Sequence, residues 1–202
     1  GNKMPGLQVY GGTLSTPATW QKWADGLPWI ITADVTLSEN TTWTVNPGVV
    51  IKSNAAVIYL LGTALCDGTS EPIIFTSYKD DSVAGDTNGD GATAPAGGNW
   101  VGIYVGPTAG ASEFRNCTFR YAAAYNGGPG IGNYEGAPRF GTLFVHNSSP
   151  VFYGCTISNG DRGGIHLFGS QATIRNCSFV NFSSAYYPIL INSPNCAPIM
   201  EG

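Results

Sequence analysis

The chain reads as an all-β solenoid, a parallel β-helix with coils of about 22–24 residues, a length in the range of solenoid repeats. Three observations predict this. First, Phe114-Arg115-Asn116-Cys117-Thr118-Phe119, Phe152-Tyr153-Gly154-Cys155-Thr156-Ile157 and Ile174-Arg175-Asn176-Cys177-Ser178-Phe179 are copies of one motif, and Met200-Glu201-Gly202 opens a fourth. Second, a single offset carries Cys155 to Cys177, Phe152 to Ile174, Ile157 to Phe179, Leu143 to Ile165 and Val145 to Leu167. A fixed period of this length marks a solenoid or array. Third, apolar residues within each unit alternate, as in Leu143 and Val145 or Ile165 and Leu167. Period two means strands with one face inward. A unit this short has no room for a long helix beside its strands. Parallel stacking about 4.8 Å apart then places equivalent residues above one another, Cys155 over Cys177 and Ile157 over Phe179.

The elements follow in order. Trp29 to Leu37 and Thr42 to Val45 alternate as strands, and Pro47-Gly48 turns the chain into Val49-Val50-Ile51. Val57 to Leu61 is the next strand, Gly62-Thr63 turns, and Pro72 to Phe75 follows. Val35 to Ile58 and Ile51 to Ile74 share one step, a single residue longer than that of the C-terminal copies, so the N-terminal half keeps nearly the same period. Residues 1–27 read as an N-terminal strand and capping segment, and 28–202 as the β-helix. Within 1–27, Ser15 to Ala24, with Trp20 and Trp23, reads as a capping helix or an edge strand. Gly6 to Gly11 reads as a strand outside the coils. Two insertions interrupt the rod: an acidic loop over 77–99 and a Gly- and aromatic-rich loop over 122–141.

Asn46-Pro47-Gly48-Val49-Val50-Ile51-Lys52, Gly62-Thr63, Asp67-Gly68-Thr69 and Pro72-Ile73-Ile74-Phe75-Thr76-Ser77 resemble secreted bacterial right-handed parallel β-helix repeat proteins. The stretch Gly85-Asp86-Thr87-Asn88-Gly89-Asp90-Gly91 and Asn99-Trp100-Val101-Gly102-Ile103 resembles an insertion in the same proteins. The likeness runs over roughly residues 28 to 202 and departs at Leu65-Cys66. It implies a right-handed rod that is secreted or displayed at a cell surface. It leaves the role open, since adhesins, surface stalks and pectate-lyase-like enzymes share the scaffold.

Composition narrows the partners. Charged residues make up 11% and the net charge is −4, so there is no basic footprint for nucleic acid. No apolar run is long enough for a membrane span. With no signal peptide, the chain reads as a processed or excised segment. Five cysteines, an odd number, leave at least one thiol unpaired or pairing between chains. Cys117, Cys155 and Cys177 fall at the inward strand position, as buried apolar groups. Cys66 and Cys196 are out of that register, and Cys196 is the candidate reactive thiol.

The insertion over 77–99 holds the candidate metal ligands Asp80, Asp81, Asp86, Asn88 and Asp90. Asp-x-Asn-x-Asp-Gly resembles the opening of a calcium loop, where oxygens at alternate positions converge on the ion and Gly permits the turn. The twelfth position from Asp86 is Gly97 rather than Glu, so this is no complete EF-hand, and Asp80 and Asp81 are expected to finish the shell. The resemblance to the secreted β-helix proteins adds most to the choice of calcium. The alternative is an acidic loop of Asx turns without an ion.

Enzyme chemistry finds less. A β-helix glycosidase needs carboxylates gathered on one face, and Glu113, Glu135, Asp161 and Glu201 are not in register. A calcium lyase needs an Arg base; Arg115, Arg175 and Arg162 read as turn and surface residues. His146 aligns with Phe168 and His166 with Phe144, so they share no site. The aromatics Tyr121, Tyr125, Tyr134, Phe140, Tyr186 and Tyr187 fall in or beside loops and would serve glycan stacking or chain contacts, or else pack down on the side of the solenoid itself. The reading is therefore an extracellular structural or adhesive module, calcium-stabilised, whose copies join end to end into filaments through the strand at 6–11. The alternatives are a glycan-binding module for surface polysaccharide and a polysaccharide lyase or hydrolase.

Overall fold

The computed structural model describes residues 5–124, 141–182, 186–192 and 195–202. The described chain winds through seven coils of three short strands each. They are β1 (Leu7–Val9), β2 (Gly12–Leu14) and β3 (Ala18–Trp20); β4 (Trp29–Ile31), β5 (Val35–Leu37) and β6 (Thr42–Val45); β7 (Val50–Ser53), β8 (Val57–Leu60) and β9 (Thr63–Asp67). Next come β10 (Ile73–Ser77), β11 (Gly102–Val105) and β12 (Glu113–Arg115); β13 (Cys117–Arg120), β14 (Leu143–His146) and β15 (Val151–Tyr153). The last two coils are β16 (Thr156–Ser158), β17 (Ile165–Phe168) and β18 (Thr173–Arg175), then β19 (Ser178–Val180), β20 (Ile189–Ile191) and β21 (Ile199–Glu201). Every third strand pairs, giving three parallel sheets of seven strands. The first sheet begins with β1, the second with β2 and the third with β3.

The repeat fixes the register because a slip of one residue would turn each inward side chain to water. Ile157 lies beside Phe179, Phe152 beside Ile174, and Leu143 and Val145 beside Ile165 and Leu167. The interior is therefore a set of apolar columns. In the third sheet, Val45, Cys66, Phe114, Phe152, Ile174 and Met200 follow one another. Phe114 stacks on Phe152 with ring centres 5.2 Å apart, and Phe75 on Phe119 at 4.9 Å. These are offsets that aromatic pairs favour.

Two expectations change. Ile51 lies beside Phe75, and Val50 beside Ile74, so that step is one residue longer than the pairing of Ile51 with Ile74 implied. The reason is alternation: Ile73 and Phe75 face inward as Ile51 does. The segment expected outside the coils is the first coil itself. β1 pairs with β4, β2 with β5 and β3 with β6, so Ser15 to Ala24 contains an edge strand and no helix. Strands of three residues carry too little alternation to be read singly.

The turns explain the Asn residues of the motif. Asn116, Asn147 and Asn176 adopt positive φ of 47°, 47° and 53°, a conformation Asn tolerates better than other side chains. The neighbouring coil offers a glycine at each. A Cβ on Gly154 would fall on Asn116 Oδ1, and one on Gly169 would fall on Asn147 Oδ1. Asn and Gly thus alternate up the turn, the side chain of one filling the space the other leaves.

Candidate metal centre

Both insertions leave the rod at the corner between the first and second sheets, in the fourth and fifth coils. The acidic one, between β10 and β11, lies against the outer side of the first sheet. There Lys52, Thr76 and Arg120 are neighbours in register. Lys52 is fully buried, and its ammonium donates to the carbonyl of Gly85 (2.7 Å) and to Thr87 Oγ1 (3.1 Å). Thr87 Oγ1 donates in turn to the carbonyl of Tyr78 at 2.9 Å. Burial foremost lowers the Lys52 pKa from its ordinary value, against the pull of Asp80, Asp81 and Asp86.

Asp80 belongs to this seat. It is fully buried, lies 2.6 Å from the Arg120 guanidinium, and accepts from Thr76 Oγ1 and Ser82 Oγ at 2.6 Å each. The other predicted ligands stand apart from it. Asp81, Asp86 and Asp90 each offer a carboxylate oxygen, all within 4.8 Å of one another. Asn88 joins them, its amide nitrogen donating to Asp90 Oδ2 at 2.6 Å. Asp86 accepts from the backbone N–H groups of Gly89 (2.7 Å), Gly91 (3.0 Å) and Asn88 (3.2 Å). These bonds, that of Gly89 first, hold its pKa below the usual carboxylate value. Thr93 closes the loop, its N–H donating to Asp81 Oδ2 and its hydroxyl to Asp90 Oδ1.

Two oxygens in this cluster are buried and have no hydrogen-bond donor among the described residues: Asp81 Oδ1 and Asn88 Oδ1. A buried acceptor left unpaired costs about 1–3 kcal/mol. Two of them, one on the Asp81 carboxylate and one on the Asn88 amide, in a cluster of three carboxylates, fit a hard cation, which takes six to eight oxygen ligands in a flexible shell. The donor set therefore suits calcium: Asp81, Asp86 and Asp90 as carboxylates and Asn88 as an amide oxygen.

The remaining candidates are dispersed. Arg115 pairs with Glu113 (2.9 Å) and Arg175 with Glu201 (3.0 Å) on the outer side of the third sheet. Arg162 pairs with Asp161 at 3.3 Å and lies over the Tyr186 ring. Cys117, Cys155 and Cys177 stack as expected, each thiol facing a backbone carbonyl of the preceding coil. All five cysteines are free. Tyr187 is well exposed, while Tyr125, Tyr134 and Phe140 lie outside the described residues. His146 and His166 face outward on the second sheet beside Phe168 and Phe144, yet both are buried. They continue an aromatic row through Tyr104, whose hydroxyl lies 2.8 Å from His146 Nδ1.

Sequence reasoning missed Lys52 and Arg120. Both sit at outward positions of strands and read as ordinary surface cations. Only the length of the insertion hinted that something covers them.

The three in-register parallel sheets define a parallel β-helix solenoid. The sequence model of the family described as "Right handed beta helix region" matches residues 95–197, a little over half of the chain. The chain belongs to this right-handed β-helix family, which includes enzymes and non-enzymes alike. Neither the curated proteins nor the solved structures contain a match. No described helix is long and apolar enough to cross a membrane.

Proposed function

We propose that this chain is an extracellular structural or adhesive β-helix module whose acidic insertion binds calcium. The observation that carries the reading is the pair of unpartnered buried oxygens, Asp81 Oδ1 and Asn88 Oδ1, beside the carboxylates of Asp81, Asp86 and Asp90. Lys79 is the one cationic residue within the insertion's own sequence. Lys52, the cation beneath it, is already committed to Gly85 and Thr87. A bound ion relieves the repulsion within the cluster and ties Asp81 to the turn at Asp86–Asp90, which fastens the loop to the rod. The same burial argues against a lyase. Lys52 has a lowered pKa near acidic groups, as a catalytic base would, but no substrate reaches a fully buried ammonium. Copies are proposed to join end to end through the strand edges left open on β1–β3 and β19–β21.

Thermal melting with calcium and with chelator tests the ion. At a calcium concentration a hundred times its dissociation constant the gain is about 2.7 kcal/mol. For a domain of this size that raises the midpoint by roughly 5–11 °C. The double variant Asp86→Asn/Asp90→Asn is expected to abolish the difference. A wild-type midpoint that is the same with and without chelator sinks the proposal.

A further inference from the structure

Away from the acidic cluster, at the corner where the third sheet passes into the first, lies a cleft of about 140 Å³. We infer that it is a subsite for one neutral pyranose ring, such as the terminal residue of a glycan. Its size sets the ligand. A cavity of about 150 Å³ holds one benzene molecule, and a pyranose with its hydroxyls is larger than benzene, so this cleft seats one face of a single ring, the rest facing solvent, and not a chain of them. Its walls set the chemistry. Leu27, Trp29 and Val50 give apolar surface, while Lys22 and Glu71 bring an ammonium and a carboxylate to the lining. A sugar ring offers this mixture, C–H groups on its faces and hydroxyls around its edge. Concave sites of this kind combine an apolar lining with a few convergent polar groups.

The aromatic wall is fixed before any ligand arrives. The Trp29 indole N–H donates to the carbonyl of Gln21 at 3.2 Å. Its ring stacks on the buried Trp20, with centres 4.4 Å apart and planes within 7°. A rigid aromatic surface costs little ordering on binding. Lys22 and Glu71 pair at 2.5 Å, and their side chains are about half exposed, so both remain within reach of solvent and of a hydroxyl. As a pair they carry no net charge, which favours a neutral sugar over a uronate. Ala84 supplies a wall from the acidic insertion. Binding is therefore measured with calcium present, so that a loose loop is not mistaken for an empty subsite.

The test is saturation-transfer NMR on the full chain with glucose, galactose, mannose and N-acetylglucosamine, and with glucuronate as the charged control. At least one neutral sugar is expected to bind, with a dissociation constant on the order of millimolar for so small a contact. Saturation is expected on the ring C–H protons. Glu71→Gln removes one half-exposed charge from the lining and is expected to weaken binding about tenfold, the equivalent of one charged hydrogen bond. Trp29→Leu is expected to abolish it, with circular dichroism checking that the sheets persist. The inference fails if no neutral sugar binds, if glucuronate binds as well as they do, or if Glu71→Gln leaves the affinity unchanged.

Discussion

Replacing Asp80 by Asn separates two roles that the acidic insertion offers this residue. The substitution keeps size and shape and removes the charge. Asp80 has no exposed surface and faces an Arg120 side chain that is only 20% exposed. Breaking a buried ion pair by removing one partner costs about 3–5 kcal/mol. Arg120 keeps some water, which places this case near the lower bound. Hydrogen bonds from Thr76 and Ser82 lose their charged acceptor as well. A loss of about 3 kcal/mol lowers the midpoint by roughly 6–12 °C in a domain of this size. The insertion is joined to the rod through this seat, so protease cleavage between Ser77 and Gly102 is expected to accelerate too. The assay is a thermal melt by circular dichroism, run once in chelator and once in calcium, with limited proteolysis alongside. The expected loss is the same in both buffers, because Asp80 is engaged by Arg120 and is not among the proposed calcium ligands. A loss seen only with calcium makes Asp80 a ligand and refutes the assignment. An unchanged midpoint with unchanged cleavage refutes the seat itself.

Other substitutions probe the rod and its buried groups. Gly154→Ala forces a Cβ into positive φ and onto Asn116 Oδ1, which costs about 2–3 kcal/mol in urea unfolding; in an Asn116→Gly background only the backbone strain of about 1–2 kcal/mol remains. Additive costs would show that the two residues do not share the space. Lys52→Met tests the buried ammonium through pH. Because its folded pKa lies below the ordinary 10.5, the unfolded chain holds more protons between those two values, and the contribution of Lys52 to stability rises with pH there. Urea midpoints at pH 7 and pH 10 are expected to move in favour of the wild type relative to Lys52→Met; a gap that stays constant or reverses counts against burial as the cause. The thiols give a fourth check. The neighbouring Cys117 thiol foremost, and burial with it, push the Cys155 pKa up to about 12, and burial also raises that of Cys117. Iodoacetamide at pH 8 is expected to leave both unmodified in the folded protein and to label Cys196 first, read by peptide mass; equal labelling of Cys155 would overturn the interior placement.

The rod was legible because each of its determinants is periodic. Cys155 and Cys177, or Leu143 and Ile165, report one another through a constant offset, and stacking turns that offset into contact. Where the offset drifts by one residue, as from Ile51 to Phe75, the alternation of Ile73 and Phe75 decides it. The first coil was missed because β1, β2 and β3 hold three residues each, too few to show a period without their neighbours. The candidate site followed another logic. Asp81, Asp86, Asn88 and Asp90 were visible as a local motif, and a local motif survives any fold that lets the loop close on itself. Asp80 sits next to Asp81 in sequence but answers to Arg120 in the following coil, whose position depends on β10 and β13 pairing across the insertion. Adjacent carboxylates thus serve different cations, one supplied by the rod and the other proposed to come from solution. Spacing alone cannot separate them, because the separation is made by which carboxylate meets Arg120 on the outer side of the first sheet and which turns into the loop to meet Thr93. The rod is specified by repetition, the acidic cluster by a short motif, and the seat between them by pairing that neither signal contains. Lys52 is the clearest case: it lies in a turn-strand sequence that predicts its backbone correctly, and its burial is decided by a loop that begins a full coil later.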